Sequence, residues 1–245
     1  MRPPLVMLHG WASSPAVWHA ATAAMGDHPR IMPALPGHAG GAEGMAPRLA
    51  AWATAILAAC PPRFDLCGWS LGGLLSIGIA LLAPDRVRRI VLIGTSPCFS
   101  ARPGWTAGLD GALVARFRAD FATDPGRMLA RFHALQTLGD GHRRAVAAEL
   151  ERSATAPHAA GGLAAGLQLL DDTDLRARLS ALTHTVRVLH GADDALMPAA
   201  TAVALSDALP QARLTLIGEC GHAPHLSRPR DCAALIDGFL HEPDR

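Results

Sequence analysis

Cys67-Gly68-Trp69-Ser70-Leu71-Gly72-Gly73 lies between two apolar runs, Phe64-Asp65-Leu66-Cys67 and the longer Leu74 to Leu82. Read as strand, tight turn and helix, it has the Gly-x-Ser-x-Gly form that holds a serine at a sharp bend with its hydroxyl exposed. Gly68 and Gly72 flank Ser70 where strand and helix come too close for a Cβ. Leu71 opens the helix, so its N–H has no partner inside it. That N–H points, with the positive end of the helix dipole, at whatever lies over Ser70. Taken alone, the stretch can also be a Gly-rich turn with an incidental serine. The rest of the chain decides between the two.

Upstream, Leu5-Val6-Met7-Leu8 reads as a buried parallel strand ending in the loop His9-Gly10-Trp11. Ile31 to Leu35 is a weaker strand closed by Pro36-Gly37-His38, with a loop between the two. Leu49, Trp52, Ile56, Leu57 and Cys60 recur at helical spacing. Downstream of the elbow, Pro84 ends a helix that is apolar nearly all round, and Val87 to Ile93 forms a further strand. This alternation predicts an α/β fold, a mostly parallel sheet flanked by helices. It stops at Pro97. Four helical stretches follow, Leu109 to Phe121, Pro125 to Leu138, Arg143 to Ser153 and Leu163 to Leu170, without a convincing strand. Strands resume at Val186 to Leu189 and Leu214 to Ile217, and a last helix carries Cys232, Leu235, Ile236, Phe239 and Leu240. The expected organisation is a core of residues 1–96 and 174–245 with an inserted helical cap, residues 97–173.

A chain of 245 residues, half of them hydrophobic, suffices for one large α/β domain. A net charge of +1 argues against general nucleic-acid binding. The five cysteines form no C-x-x-C pair and read as free, mostly buried thiols in a reducing compartment. Met1-Arg2-Pro3-Pro4 leads straight into the first strand without signal-peptide features, and no unbroken apolar run reaches membrane-spanning length. A cytoplasmic monomer with no membrane or nucleic-acid partner is expected.

Ligands of open parallel sheets bind beyond the carboxyl ends of the strands. Every polar candidate falls there: Ser70, the pair Asp193-Asp194, and His222. A serine hydroxyl needs a base to take its proton, and a carboxylate must fix the tautomer of that base. The Gly-x-x-Asp-x-x-x-Pro spacing of Gly191, Asp194 and Pro198 selects Asp194, leaving Asp193 as a turn residue. His225 is the rival to His222 as base. The N–H groups of Leu71 and Trp11 are the expected oxyanion donors, and the Trp11 ring can wall a pocket. No metal cluster with convincing ligand spacing is present, and the chemistry needs no cofactor.

Two features between the strands stay open. Phe132 and Gln136 in Phe132-His133-Ala134-Leu135-Gln136 share a helix face, which suits an acyl pocket or ordinary core packing. Arg127 and Arg131 share another face, and Arg116, Arg118, Arg143 and Arg144 add to a basic character. That face is either solvated or a dock for an acidic partner.

The chain resembles the esterases of biotin synthesis that act on pimeloyl-acyl carrier protein methyl ester, members of the α/β-hydrolases. The resemblance rests on the Gly-Trp-Ser-Leu-Gly-Gly elbow and the His-Gly-Trp loop. It rests also on Thr95-Ser96-Pro97-Cys98-Phe99-Ser100-Ala101, Phe132 to Thr137 and Asp174-Leu175-Arg176. The order Ser, Asp, His is that of α/β-hydrolases. The resemblance implies Ser70, Asp194 and His222 as the triad, with Trp11 and Leu71 holding the oxyanion and contacting substrate. It implies Phe132, His133, Ala134, Leu135 and Gln136 against the pimeloyl chain or its ester end, and Arg127, Arg131 and Arg144 against the acidic carrier protein. Two departures stand out: the family has one or two short strands before the first one seen here, and aspartate where this chain has Ala34. A generic short-chain carboxylesterase or lactonase fits the same residues, and a silent binding module fits the fold. Dehalogenase and epoxide hydrolase chemistry needs a carboxylate at the elbow.

Overall fold

The computed structural model describes residues 3–155 and 160–243. The first strand, β1 (Leu5–Leu8), is buried throughout. A 3-10 turn, Pro15–Trp18, and α1 (His19–Ala24) then carry the chain to β2 (Arg30–Ile31). The expected loop between these strands is therefore helical. A parallel pair needs a crossover, but α1 is alanine-rich and buries only Ala21, so no apolar period marks it. The second strand is shorter than expected because Pro33 brings no N–H to the ladder.

Next come α2 (Leu49–Ala58), β3 (Phe64–Trp69), α3 (Leu71–Leu82) and β4 (Val87–Ile93). Between β4 and the next strand lie α4 (Gly111–Thr123), α5 (Pro125–Gln136), α6 (Arg143–Arg152) and α7 (Ala160–Asp172). Two aspartates set where the first pair begins. Asp110 accepts from Leu113 N–H (3.0 Å) and Asp124 from Arg127 N–H (3.0 Å), each satisfying an orphan donor of the first turn. The sheet resumes with β5 (Thr185–Gly191), then α8 (Ala199–Ala208), β6 (Ala212–Ile217), α9 (Pro224–Ser227) and α10 (Pro229–Leu240).

The sheet order is β2-β1-β3-β4-β5-β6, and every pairing is parallel. Successive side chains alternate between its faces. Val6, Leu66, Leu92 and Val188 face one core with α2, α3 and α8, while Leu5, Met7, Cys67 and Val91 face another with α10. Coverage on both sides explains why the central strands read as unbroken apolar runs. Phe121, Met128, Phe132, Leu163 and Leu167 of α4, α5 and α7 join the first core, and Val146 and Leu150 of α6 join the second. Among the described residues no helix is long and apolar enough to cross a membrane. All five cysteines are free, four of them buried.

The register pairs Leu8 with Gly68, Trp69 with Ile93, Ile93 with Leu189 and Gly191 with Ile217. The carboxyl ends of β1, β3, β4, β5 and β6 therefore finish at one edge, and the loops that leave them meet there.

Candidate active site

At that edge Ser70 joins β3 to α3 with φ 53° and ψ −117°, an arrangement L-residues rarely adopt. Its surroundings hold it there. Ser70 N–H donates to Ile93 C=O (2.9 Å), and Ser70 C=O accepts from Thr95 Oγ1 (2.7 Å) and Leu74 N–H (3.1 Å). A Cβ on Gly68 would lie 2.3 Å from Gly72 O, and one on Gly72 would lie 2.2 Å from Leu8 O. Both glycines are needed for the close approach of strand and helix, as the sequence spacing implies.

His222 closes a line of hydrogen bonds from Ser70 to Asp194. Its Nε2 lies 3.0 Å from Ser70 Oγ, and its Nδ1 lies 2.8 Å from Asp194 Oδ2. The carboxylate can only accept, so Nδ1 carries the proton and Nε2 is free to take the one on Ser70 Oγ. Asp194 is buried, which by itself would raise its pKa. The facing His222 ring, the hydrogen bond from it and the nearby His190 outweigh burial and hold the carboxyl below its ordinary value. Leu196 N–H and Met197 N–H both donate to Asp194 Oδ1 at 2.9 Å. Asp193 is exposed and contributes its N–H to Cys220 C=O (3.0 Å), a loop contact.

His225 does not reach Ser70. It is fully buried between Trp18 and Trp69, with ring centroids 4.6 and 4.8 Å away. Burial pushes its pKa down to about 3, and neither ring nitrogen has a hydrogen-bond partner among the described residues. Trp69 also supports the neighbouring loop, since its Nε1–H donates to His222 C=O (2.9 Å).

Leu71 follows Ser70 as the first residue of α3, and Trp11 lines the same cavity as Ser70. Neither Leu71 N–H nor Trp11 N–H is taken up by another group among the described residues. The loop that presents Trp11 is fixed by two histidines that motif reading leaves without a site role. His38 Nδ1–H donates to Pro36 C=O (2.9 Å), so its Nε2 accepts from Ala12 N–H (3.1 Å). His9 Nδ1–H donates to Gly10 C=O (2.9 Å), so its Nε2 accepts from Leu35 N–H (3.0 Å). These bonds require neutral rings. Burial agrees, lowering His9 to about 3 and His38 to about 4. Ala12 has φ 60°; with Ser70 and Glu219 it is one of three non-glycine residues at positive φ among those described. Each sits in a different loop converging on the site.

Above Ser70 opens a cavity of about 450 Å³ lined by Trp11, Phe99, Val114, Phe117, Met128, Phe132, Leu135, Leu167 and Leu196, among others. The Trp11 ring meets Phe132 edge-on at 4.9 Å and Phe121 at 5.4 Å. Phe132 thus both packs in the core and lines the cavity, so the two readings of its helix face coexist. Ala134 and Leu135 line it as well, whereas His133 and Gln136 are not among the lining residues. Gln136 instead turns its backbone to the site: its C=O accepts from His222 N–H (3.1 Å). A helix ends there, so this carbonyl has no partner within it. Arg131 and Arg143 stand at the cavity edge, and Arg131 lies 3.6 Å from Asp120. Arg127 and Arg144 are exposed on α5 and α6.

A hydroxyl bonded to an imidazole that is bonded in turn to a buried carboxylate can attack a carbonyl carbon. Two free N–H groups can then receive the negative charge on its oxygen. The apolar cavity suits an acyl chain.

A model of the alpha/beta hydrolase fold matches residues 3–229. A pimeloyl-[acyl-carrier protein] methyl ester esterase from Aromatoleum aromaticum is 48% identical over 252 residues, covering 98% of each chain. One of the same name from Nitrosomonas europaea is 37% identical over 240 residues, covering 97% of this chain and 95% of that one. Among solved structures, an esterase from Exiguobacterium antarcticum superposes with a TM-score of 0.85 at 20% identity, covering 98% of this chain and 92% of that one. The enol-lactonase from Burkholderia xenovorans LB400 gives 0.84 at 20% identity, covering 99% and 93%. At such identities these two structures speak for the fold alone.

Proposed function

The chain belongs to the α/β-hydrolase fold family and, within it, to the pimeloyl-[acyl-carrier protein] methyl ester esterases, and from this we propose that it hydrolyses the methyl ester of pimeloyl-acyl carrier protein through an acyl-serine intermediate. The observation that carries the reading is the hydrogen-bonded line Ser70–His222–Asp194 opening into an apolar cavity.

Ser70 Oγ attacks the ester carbonyl carbon while its proton passes to His222 Nε2. Trp11 N–H and Leu71 N–H hold the oxyanion, and Asp194 stabilises the imidazolium. Collapse of the adduct breaks the carbon–oxygen bond to methoxide, which takes the proton from His222 and leaves as methanol. A water then gives its proton to His222 and attacks the acyl-serine. Ser70 departs with that proton, and the free carboxylate remains on the carrier-bound chain. Residues 97–173 act as the cap, with Phe132 and Leu135 against the methylene chain and Arg127, Arg131 and Arg144 facing the acidic carrier.

The test is demethylation of pimeloyl-acyl carrier protein methyl ester by wild type and Ser70→Ala, followed as mass loss on the carrier at low and high salt. Demethylation by wild type alone, slowed by salt, is the expected result. Cleavage of p-nitrophenyl butyrate without demethylation would leave a general esterase. No turnover of either ester would refute the catalytic reading.

A further inference from the structure

The segment that follows α5 is fastened to the loop of the base more firmly than a cap over a sheet requires. Asp140 is the centre of that fastening. It is 8% exposed, and its Oδ2 accepts from Gly221 N–H (2.9 Å), the residue immediately before His222. Its Oδ1 accepts from Ser227 Oγ–H (2.9 Å) in α9 and from His142 N–H (2.7 Å). On either side, Gln136 C=O takes His222 N–H, and Gly141 N–H donates to Glu219 C=O (2.9 Å), the strained residue of the same loop. Gly139 packs on the other half of the pair: a Cβ there would lie 2.4 Å from Asp193 O, next to Asp194. The charged and titratable groups around Asp140 are His142, Asp193, Glu219, Cys220 and Arg228, and Arg228 is engaged with both His142 and Glu219.

We propose that Asp140 is a positioning residue for the reaction, holding the His222 loop to the end of the same helix that lines the acyl cavity. His222 must keep its two ring nitrogens on Ser70 and Asp194 at once, and its backbone is the only part the protein can grip without blocking the ring. Asp140 grips one peptide and Gln136 the next. Phe132 and Leu135 lie within one turn of Gln136 on α5, so a chain that fills the cavity presses on the element that anchors the base. This inference rests on His222 acting as the base.

Asp140→Asn keeps the shape but replaces one acceptor oxygen with an NH2 group. Three donors face the carboxylate, so at least one meets another donor and its bond is lost. The experiment compares wild type, Asp140→Asn and Ser227→Ala on p-nitrophenyl butyrate across the neutral pH range. Ser70 labelling by a fluorophosphonate and near-UV circular dichroism are recorded alongside. For Asp140→Asn, kcat should fall about tenfold to a hundredfold, the effect of a small misplacement of a reacting group. KM should stay within about twofold. The acid limb of kcat/KM should move by about half a pH unit or more, and the downfield proton NMR signal of His222 Nδ1–H should shift with it. A purely structural role would move neither the limb nor the signal. Folded Asp140→Asn with the wild-type kcat and acid limb overturns the proposal. Should that variant not fold, Ser227→Ala decides. A smaller shift of the limb in the same direction supports the proposal, and an unmoved limb refutes it. Wild type that neither turns over nor labels would instead sink the underlying catalytic reading, and this inference with it.

Discussion

Ala12, Ser70 and Glu219 adopt backbone angles that cost free energy, of order 1–3 kcal/mol each, and each is held by bonds to residues far away in the chain. The tie from His38 to Ala12 spans 26 residues. Removing the ring in His38→Ala leaves the buried Ala12 N–H without an acceptor, at a cost of about 1–3 kcal/mol. The Trp11 N–H beside it would lose its aim. We expect kcat on p-nitrophenyl butyrate to fall about tenfold or more with KM little changed, measured by steady-state kinetics. An unchanged kcat would remove His38 from any part in the reaction. Ser70, Asp194 and His222 were legible in the sequence because each sits in a short local motif that dictates its backbone. His38, Thr95 and Asp140 were not, because they act through backbone atoms of remote loops and carry no spacing signal of their own. Asp140 lies between two glycines and reads only as a turn.

At the scale of elements, β4 and α10 are locked by two adjacent arginines. Arg88 grips Asp65 through Nε (2.9 Å) and Nη2 (2.7 Å) and donates to Leu240 C=O (3.0 Å). Arg89 donates to Phe239 C=O (2.8 Å) and Glu242 C=O (2.6 Å). The last carbonyls of a helix lack partners within it and favour cations, so two charges that interrupt an apolar strand serve as the cap of the final helix. Arg88→Ala would strand the fully buried Asp65 carboxylate, at a cost of about 3–5 kcal/mol. A urea titration should show this loss, and Asp65→Leu combined with Arg88→Leu should recover most of it. Equal stability of Arg88→Ala and wild type would contradict the account. The apolar periods located the strands and the long helices, including the full extent of β4. They missed α1, whose alanines carry no stripe, and overran β2, where Pro33 ends the ladder. In α5 a periodic face could not say whether it packs or lines a cavity, since Phe132 does both.

For the molecule as a whole, buried neutral histidines tie stability to pH. His9, His38 and His225 are lowered by burial to about 3, 4 and 3, from 6.5 in the unfolded chain. Burial lowers His28, His133 and His190 in the same direction. Below 6.5 the unfolded chain binds protons that the native one refuses. Stability is therefore full above that value and declines as pH falls through it toward 4. Each of the three contributes up to about 1 kcal/mol per pH unit in that window. The urea midpoint should drop clearly between about pH 7 and about pH 5.5, and a flat midpoint would mean the rings are protonated in the native state. The architecture was readable from the alternation of strand and helix, because a sheet covered on both faces leaves that trace. The mutual hold of the segment after α5 and the loop before His222 was not, because it joins the Asp140 carboxylate and backbone groups of loops far apart in the chain, which leave no spacing signal. One consequence of the strand order concerns synthesis. Every strand except β3 adds beside its predecessor, β2 to β1, β4 to β3, β5 to β4 and β6 to β5, while β3 takes the free edge of β1, so from β3 onward growth stays on one side. The sheet can grow from one edge as the ribosome delivers it. The serine is in place early, while the histidine arrives after the last strand, so under the proposed mechanism a chain that stops before His222 lacks its base, and the appearance of activity marks a late stage of assembly.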